Sequence, residues 1–253
     1  MKTLSSKTTA TTLGLMLALS ILPLNALAVS DTTTAVSSAP TGFCANLSAD
    51  ETKVQTTLNN RIATMDQNRD DAASKLQENR TNFDRQVSTN RANWDASRQQ
   101  NFTALQAKAT TTTEKTAVST FEQTVLADVT THRSTIDQAR DTFRNAEDQA
   151  LQSRETQVNT AVSTFTSAID RAESAAQSSC DAGVKPDTAR TTFVASMKAA
   201  RITYQTSVAA VPKVDPVVAS LAATRKSAVT SADLTFTQNV EQAGKTLKVA
   251  MHQ

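Results

Sequence analysis

From Phe43 to Ala182 the chain runs for 140 residues without a single glycine or proline. Those two residues supply the left-handed conformations, fixed φ angles and helix stops that tight turns need. A fold with many turns, such as a β-sandwich or an α/β sheet, has no use for such a stretch. The expectation is therefore an all-α chain of very long helices.

Inside that stretch the pattern repeats every eleven residues. Asn68-Arg69, Asn79-Arg80 and Asn90-Arg91 fall in register and Asn101 follows in the same column. Ala72, Phe83, Trp94 and Leu105 form a second column, and Met65, Leu76 and Val87 a third. Further on, Phe121, His132, Phe143, Arg154, Phe165 and Ala176 share one column. Val118, Val129, Leu151 and Val162 share another, and Val125, Ile136, Val158 and Ile169 a third. Eleven residues over three turns is about 3.67 per turn, close to a relaxed α-helix, so such hendecad seams run nearly straight. Aromatic residues make up only 4% of the chain and the apolar total of 39% leans on Ala and Val, which suits narrow helix-on-helix seams better than a broad globular core.

Between the two halves the apolar stripe rotates by about a third of a turn at the run Thr110-Thr111-Thr112-Thr113. Thr111 and Glu114 have the spacing of a capping box, so the reading places a break there. Ser48 and Glu51 have the same spacing and mark the expected start of the first helix. Cys44 and Cys180 are the only cysteines, and Thr112 lies midway between them. A fold-back at the Thr run brings both to one end, where an oxidising exterior favours a disulfide. Two free thiols and an intermolecular pair are the alternatives, since sequence alone does not set pairing.

After Cys180, residues 181–187 contain Gly183 and Pro186 and read as a turn. Phe193, Met197, Ala200, Tyr204, Val208 and Val211 then mark a third helix ending before Pro212. Asp215-Pro216 reads as an N-cap with proline at the first helical position. Val218, Leu221, Val229, Ala232, Phe236, Val240, Ala243 and Leu247 carry a fourth helix, which Gly244 weakens. The expected architecture is thus a long antiparallel hairpin over residues 43–182 with its tip near 110–113. A shorter helical hairpin, residues 183–253, is expected to pack at the cysteine end.

The N-terminus has Lys2 and Lys7, an apolar run from Leu13 to Leu24, and Ala26-Leu27-Ala28, the pattern of a cleavable signal peptide over residues 1–28. Residues 29–42 read as a flexible leader. Cleavage removes two of the 26 basic residues and none of the 24 acidic ones, which leaves a formally neutral product. That balance argues against nucleic-acid binding, which uses a net basic surface.

No constellation for chemistry emerges. His132 and His252 are the only histidines, and no His, Cys and carboxylate cluster has metal-ligand spacing. His132 is expected to be a seam residue with a polar tip. The expectation is no catalytic, cofactor or metal site, and a chain that is not an enzyme. Asp70, Asp71, Glu78, Asp84 and Asp95 beside Arg69, Arg80, Arg85, Arg91 and Arg98 read as a mostly solvated face with ion pairs along or between helices. Trp94, Phe83 and Phe102 read as a local packing cluster. The sequons at Asn46, Asn79 and Asn101 read as coincidental.

Phe43-Cys44 with Leu47, the Asn-Arg repeats ending at Asn90-Arg91 and Trp94-Asp95, and Leu221-Ala222-Ala223-Thr224-Arg225-Lys226 resemble the uncharacterised secreted, Ala-rich helical proteins of ultra-small, reduced-genome bacteria. The resemblance covers nearly the whole mature chain and implies no catalytic residues. The leading functional expectation is a secreted or cell-surface structural or interaction protein, a helical spacer or partner-binding surface. Its partner is an unknown protein or a second copy. Amphipathic binding to a membrane surface and a periplasmic holdase are the alternatives. Membrane-lying helices usually carry Lys flanks and large apolar residues, whereas these offer Ala, Thr and mixed charge.

Overall fold

The computed structural model describes residues 42–251. The expected signal segment and all of the expected leader but Gly42 lie outside the described residues, as does His252. Helices make up 94% of what is described, with no strand among those residues. They are α1 (Phe43–Lys108), α2 (Thr112–Asp181), α3 (Pro186–Ala210) and α4 (Val214–Ala250).

The long hairpin forms as expected. At its tip the chain leaves α1 through an extended Ala109 and re-enters helix at Thr112. Glu114 N donates to Thr111 Oγ1 at 3.2 Å, while the Glu114 carboxylate accepts from the backbone N of Thr110 at 2.7 Å and of Thr111 at 2.9 Å. This capping box satisfies backbone donors that a helix start otherwise leaves orphaned. At the open end Cys44 and Cys180 form a disulfide with their Cα atoms 5.6 Å apart.

The helix starts differ from expectation in two places. α1 begins at Phe43 with Gly42 as its cap, so Ser48 is already helical and its carbonyl accepts from Thr52 Oγ1. The disulfide at Cys44 and the burial of Leu47 against Ala172, Ala176 and Phe193 hold this extra turn in place, and packing overrides the local capping signal. α4 begins at Val214 with Lys213 as its cap, so Asp215 and Pro216 lie within the first turn.

The C-terminal segment corrects the expectation of a shorter hairpin. α3 starts at the cysteine end and runs back along the hairpin. At Val211–Lys213 the chain bends but does not reverse, and α4 continues towards the tip, where Leu247 packs with Ala109 and Val118. Together α3 and α4 form one bent helix of 65 residues. The physical reason lies on α2. Phe121, Val125 and Val129 near the tip need cover, and Phe236 and Val240 of α4 supply it. A hairpin confined to the cysteine end would leave that face wet, at a cost of about 25 cal/mol per Å² of apolar surface. Pro212 interrupts the helix, but both flanking residues, Val211 and Lys213, are extended, which carries the chain onward.

Candidate interaction surface

α2 is the central element and makes a different seam with each neighbour. Its column Phe121, His132, Phe143, Arg154, Phe165 and Ala176 faces the bent α3–α4 helix along its whole length. Ala176 packs in one cluster with Phe193, and the Phe165 ring lies 5.1 Å from that of Tyr204. Arg154 Nη1 donates to the Pro212 carbonyl at the bend, at 2.9 Å. The Arg225 guanidinium sits 4.5 Å over the Phe143 ring, a cation–π contact. His132 is the seam residue anticipated: its ring lies 4.8 Å from that of Phe236, and Nε2 donates to Asp233 at 2.7 Å.

The seam between α1 and α2 is apolar only at its ends. The buried residues of α1 are Leu47, Leu58 and Phe102. Leu47, Leu58, Arg69, Arg80, Arg91 and Phe102 are successive members of one eleven-residue column, so arginine occupies the centre of the seam. Arg69 Nη1 donates to Asn159 at 2.8 Å, and Arg80 reaches Glu147 at 2.6 Å and Asp148 at 2.8 Å. Arg91 takes both oxygens of Asp137 at 2.8 Å. From the other side Arg133 and Arg144 of α2 clasp Asp95 and Asp84. Each step of eleven along α1 is matched by a step of eleven back along α2, so the register does not slip.

The ladder shapes its own ionisation. Burial alone would lower the Arg80 pKa, but hydrogen bonds to Asp148 and Glu147 outweigh it and the net shift is upward. Hydrogen bonds from Arg144 and Arg91 hold Asp84 and Asp137 below the usual carboxylate range. Arg133 and then Arg98 pull Asp95 down to about 2. These bidentate pairs fix orientation as well as charge. The expected solvated face is therefore, across this seam, an interhelical ion-pair ladder. The signal for it was the column itself, in which arginines stand where the ends carry Leu and Phe.

Glu173 is the exception among the acids. It is the buried charged residue at the cysteine end, with Oε2 accepting from Gln55 and Oε1 without a partner. Burial pushes its pKa up, and the neighbouring Glu51 and Asp170 add to the shift.

Phe83, Trp94 and Phe102 do not form the expected cluster. Phe102 is buried against Val125 and Val129, whereas Phe83 is 51% and Trp94 58% exposed. Leu105 of the same column is partly buried at the tip against the clusters that hold Phe102 and Leu247, whereas Phe83 and Trp94 project into solvent in the middle of α1. Beside them Asn68, Asn79, Asn90 and Asn101 are all exposed. This leaves an outer face on the middle of α1, with Asn79 of the sequons on it and Asn101 exposed nearer the tip.

These elements define a class: a long three-helix rod, closed at one end by a disulfide, with one aromatic helix face open. No helix among the described residues is long and apolar enough to cross a membrane. No protein-family model matches the chain, and no curated protein or solved structure matches it.

Proposed function

We propose that this protein works outside the cytoplasm as a stiff helical spacer that presents the outer face of α1 to a partner. The observation that carries the reading is that open face, with Phe83 and Trp94 aligned on a scaffold otherwise occupied in holding itself straight. Exposed aromatic residues on a rigid element are what protein interfaces use as anchors. The disulfide suits an oxidising compartment, and the signal-like segment 1–28 supplies the route there. The eleven-residue repeat supports the spacer role, because helices of nearly relaxed pitch pack side by side without strong supercoiling.

Small-angle scattering on residues 29–253, kept oxidised, tests the shape. α2 alone has 70 residues and spans about 105 Å at 1.5 Å per residue, so the maximal dimension is expected to be about 110 Å. A compact globule of half that dimension would remove the spacer reading.

A further inference from the structure

We propose that the outer side of the bent α3–α4 helix is a seat for an anionic phospholipid surface. The inference is independent of the α1 face and of what that face meets.

Residues 29–253 are formally neutral, yet the fold sorts their charge by helix. α2 carries six Lys and Arg against eleven Asp and Glu, whereas residues 183–253 carry nine against four. The cations also differ in what they meet. Lys53, His132 and the arginines of the α1–α2 seam pair with carboxylates. Lys185, Lys198, Lys213, Lys226, Lys245 and Lys248 are all exposed, and none has an ion-pair partner among the described residues.

Exposed aliphatic side chains gather on the same element. Ile202 is 52%, Leu234 58% and Val249 60% exposed, and Val194 is exposed as well. In α3, Val194, Lys198 and Ile202 stand at successive four-residue steps and share one side, away from the buried Phe193, Ala200, Tyr204 and Val208. In α4, Leu234 and Lys245 lie about three turns apart with Lys248 and Val249 one turn beyond, on the side away from Phe236, Val240 and Leu247. Asp187 and Glu241 dilute this charge without cancelling it, and Asp233 is already bound to His132.

A row of ammonium groups interleaved with aliphatic side chains matches a leaflet of anionic headgroups. Each Lys brought to such a surface strengthens binding roughly fivefold, and apolar side chains between the cations enter the headgroup–acyl boundary. An acidic protein would match the charge alone, and the aliphatic residues among the lysines favour lipid. The length suits a plane as well, since α4 by itself runs for about 55 Å at 1.5 Å per residue. Composition concealed this surface, because charge that is mixed over the whole chain is separated only when the helices take their places.

The test is co-sedimentation of oxidised residues 29–253 with vesicles of phosphatidylcholine, alone or mixed equally with phosphatidylglycerol. Binding is expected on the mixed vesicles, at least tenfold weaker on phosphatidylcholine alone, and lost when salt is raised from about 20 to about 500 mM. The triple variant Lys198→Ala, Lys226→Ala, Lys245→Ala is expected to bind about a hundredfold more weakly, at roughly fivefold per lysine. Lys75→Ala, Arg85→Ala, Lys108→Ala on α1 removes the same charge from exposed positions and is expected to change binding less than threefold. Ile202→Ser with Leu234→Ser is expected to weaken binding about tenfold. All these side chains are exposed, so unchanged helicity checks that each variant folds. No binding of the wild type at about 1 mM mixed lipid and low salt would overturn the proposal. Equal losses in the two triple variants would overturn the assignment to this side of the rod. Binding to dextran sulfate without binding to vesicles would replace lipid by an anionic polymer. None of these failures bears on the elongated shape, which scattering reads separately.

Discussion

Single residues show where this chain gives up stability and where it does not. Gly244 lies inside α4 with nothing within 4 Å of the position a Cβ would take. Gly244→Ala is therefore expected to stabilise the protein by about 1 kcal/mol, the usual helix-interior difference, read as a higher denaturant midpoint at unchanged slope. Gly183 differs, since its φ of 73° lies in the left-handed region and an alanine there would be strained. Glu173 carries the opposite lesson to the ladder acids. A carboxyl whose folded pKa is raised binds its proton more tightly folded than unfolded, so its ionisation weakens the fold as pH rises through the unfolded value of about 4.5 and beyond. Glu173→Gln keeps the acceptor for Gln55 and removes the buried charge. It is expected to raise the thermal midpoint at pH 7 by roughly 2 to 4 °C, with no gain at pH 3. An equal gain at both pH values would show that charge is not the cause. His132 and the Thr111–Glu114 box stand where local pattern placed them. Phe83 and Trp94 do not, because hydrophobicity says that a side chain would gain from burial and says nothing of whether a neighbour is there to bury it.

At the scale of elements, α2 holds its two neighbours by different physics. The bent α3–α4 helix is held by apolar and aromatic contact, and the middle of α1 by arginine–carboxylate pairs. Asp84, Asp95 and Asp137 all have folded pKa values below the unfolded range. Their contribution is complete above the unfolded value of about 4 and is lost as pH falls towards about 2, the Asp95 value. Amide exchange in the central part of α1, residues 69–98, is expected to accelerate across that window while the part of α2 facing α3 stays protected. Raising the salt concentration at pH 7 is expected to act in the same direction but less, because these pairs are only partly exposed and screening reaches them incompletely. Uniform exchange along both helices at pH 2 would show that the ladder is not what holds α1. The long helices, the break at Thr110–Thr111 and the faces of α3 were readable from residue spacing. The course of α4 was not: Pro212 announces an interruption but carries no information about the angle across it, which depends on which apolar face lies within reach.

At the scale of the whole molecule, the disulfide closes the open end of a hairpin whose cysteines are 136 residues apart. In the chain-entropy model a loop of that size contributes about 5 kcal/mol. Reduction, or Cys44→Ser with Cys180→Ser, is expected to lower the thermal midpoint by on the order of 10 °C. The loss should appear first as faster exchange in the turns of α1 and α2 nearest Cys44 and Cys180. A midpoint unchanged by reductant would assign that end's stability to Leu47, Phe193 and their neighbours alone. What the amino-acid sequence determined by itself is everything that depends on near neighbours along the chain. That covers the helical state, the capped break and the cysteine placement that makes a hairpin and its disulfide mutually consistent. Tertiary structure decided what depends on which surfaces meet. It carried α4 on to the tip, set arginines of α1 against carboxylates of α2, buried Glu173, and left one side of α1 uncovered. The physical reason is that hydrogen bonds within a helix are satisfied by residues three or four positions away, whereas a seam is chosen by comparing the apolar area that each possible neighbour can remove from water.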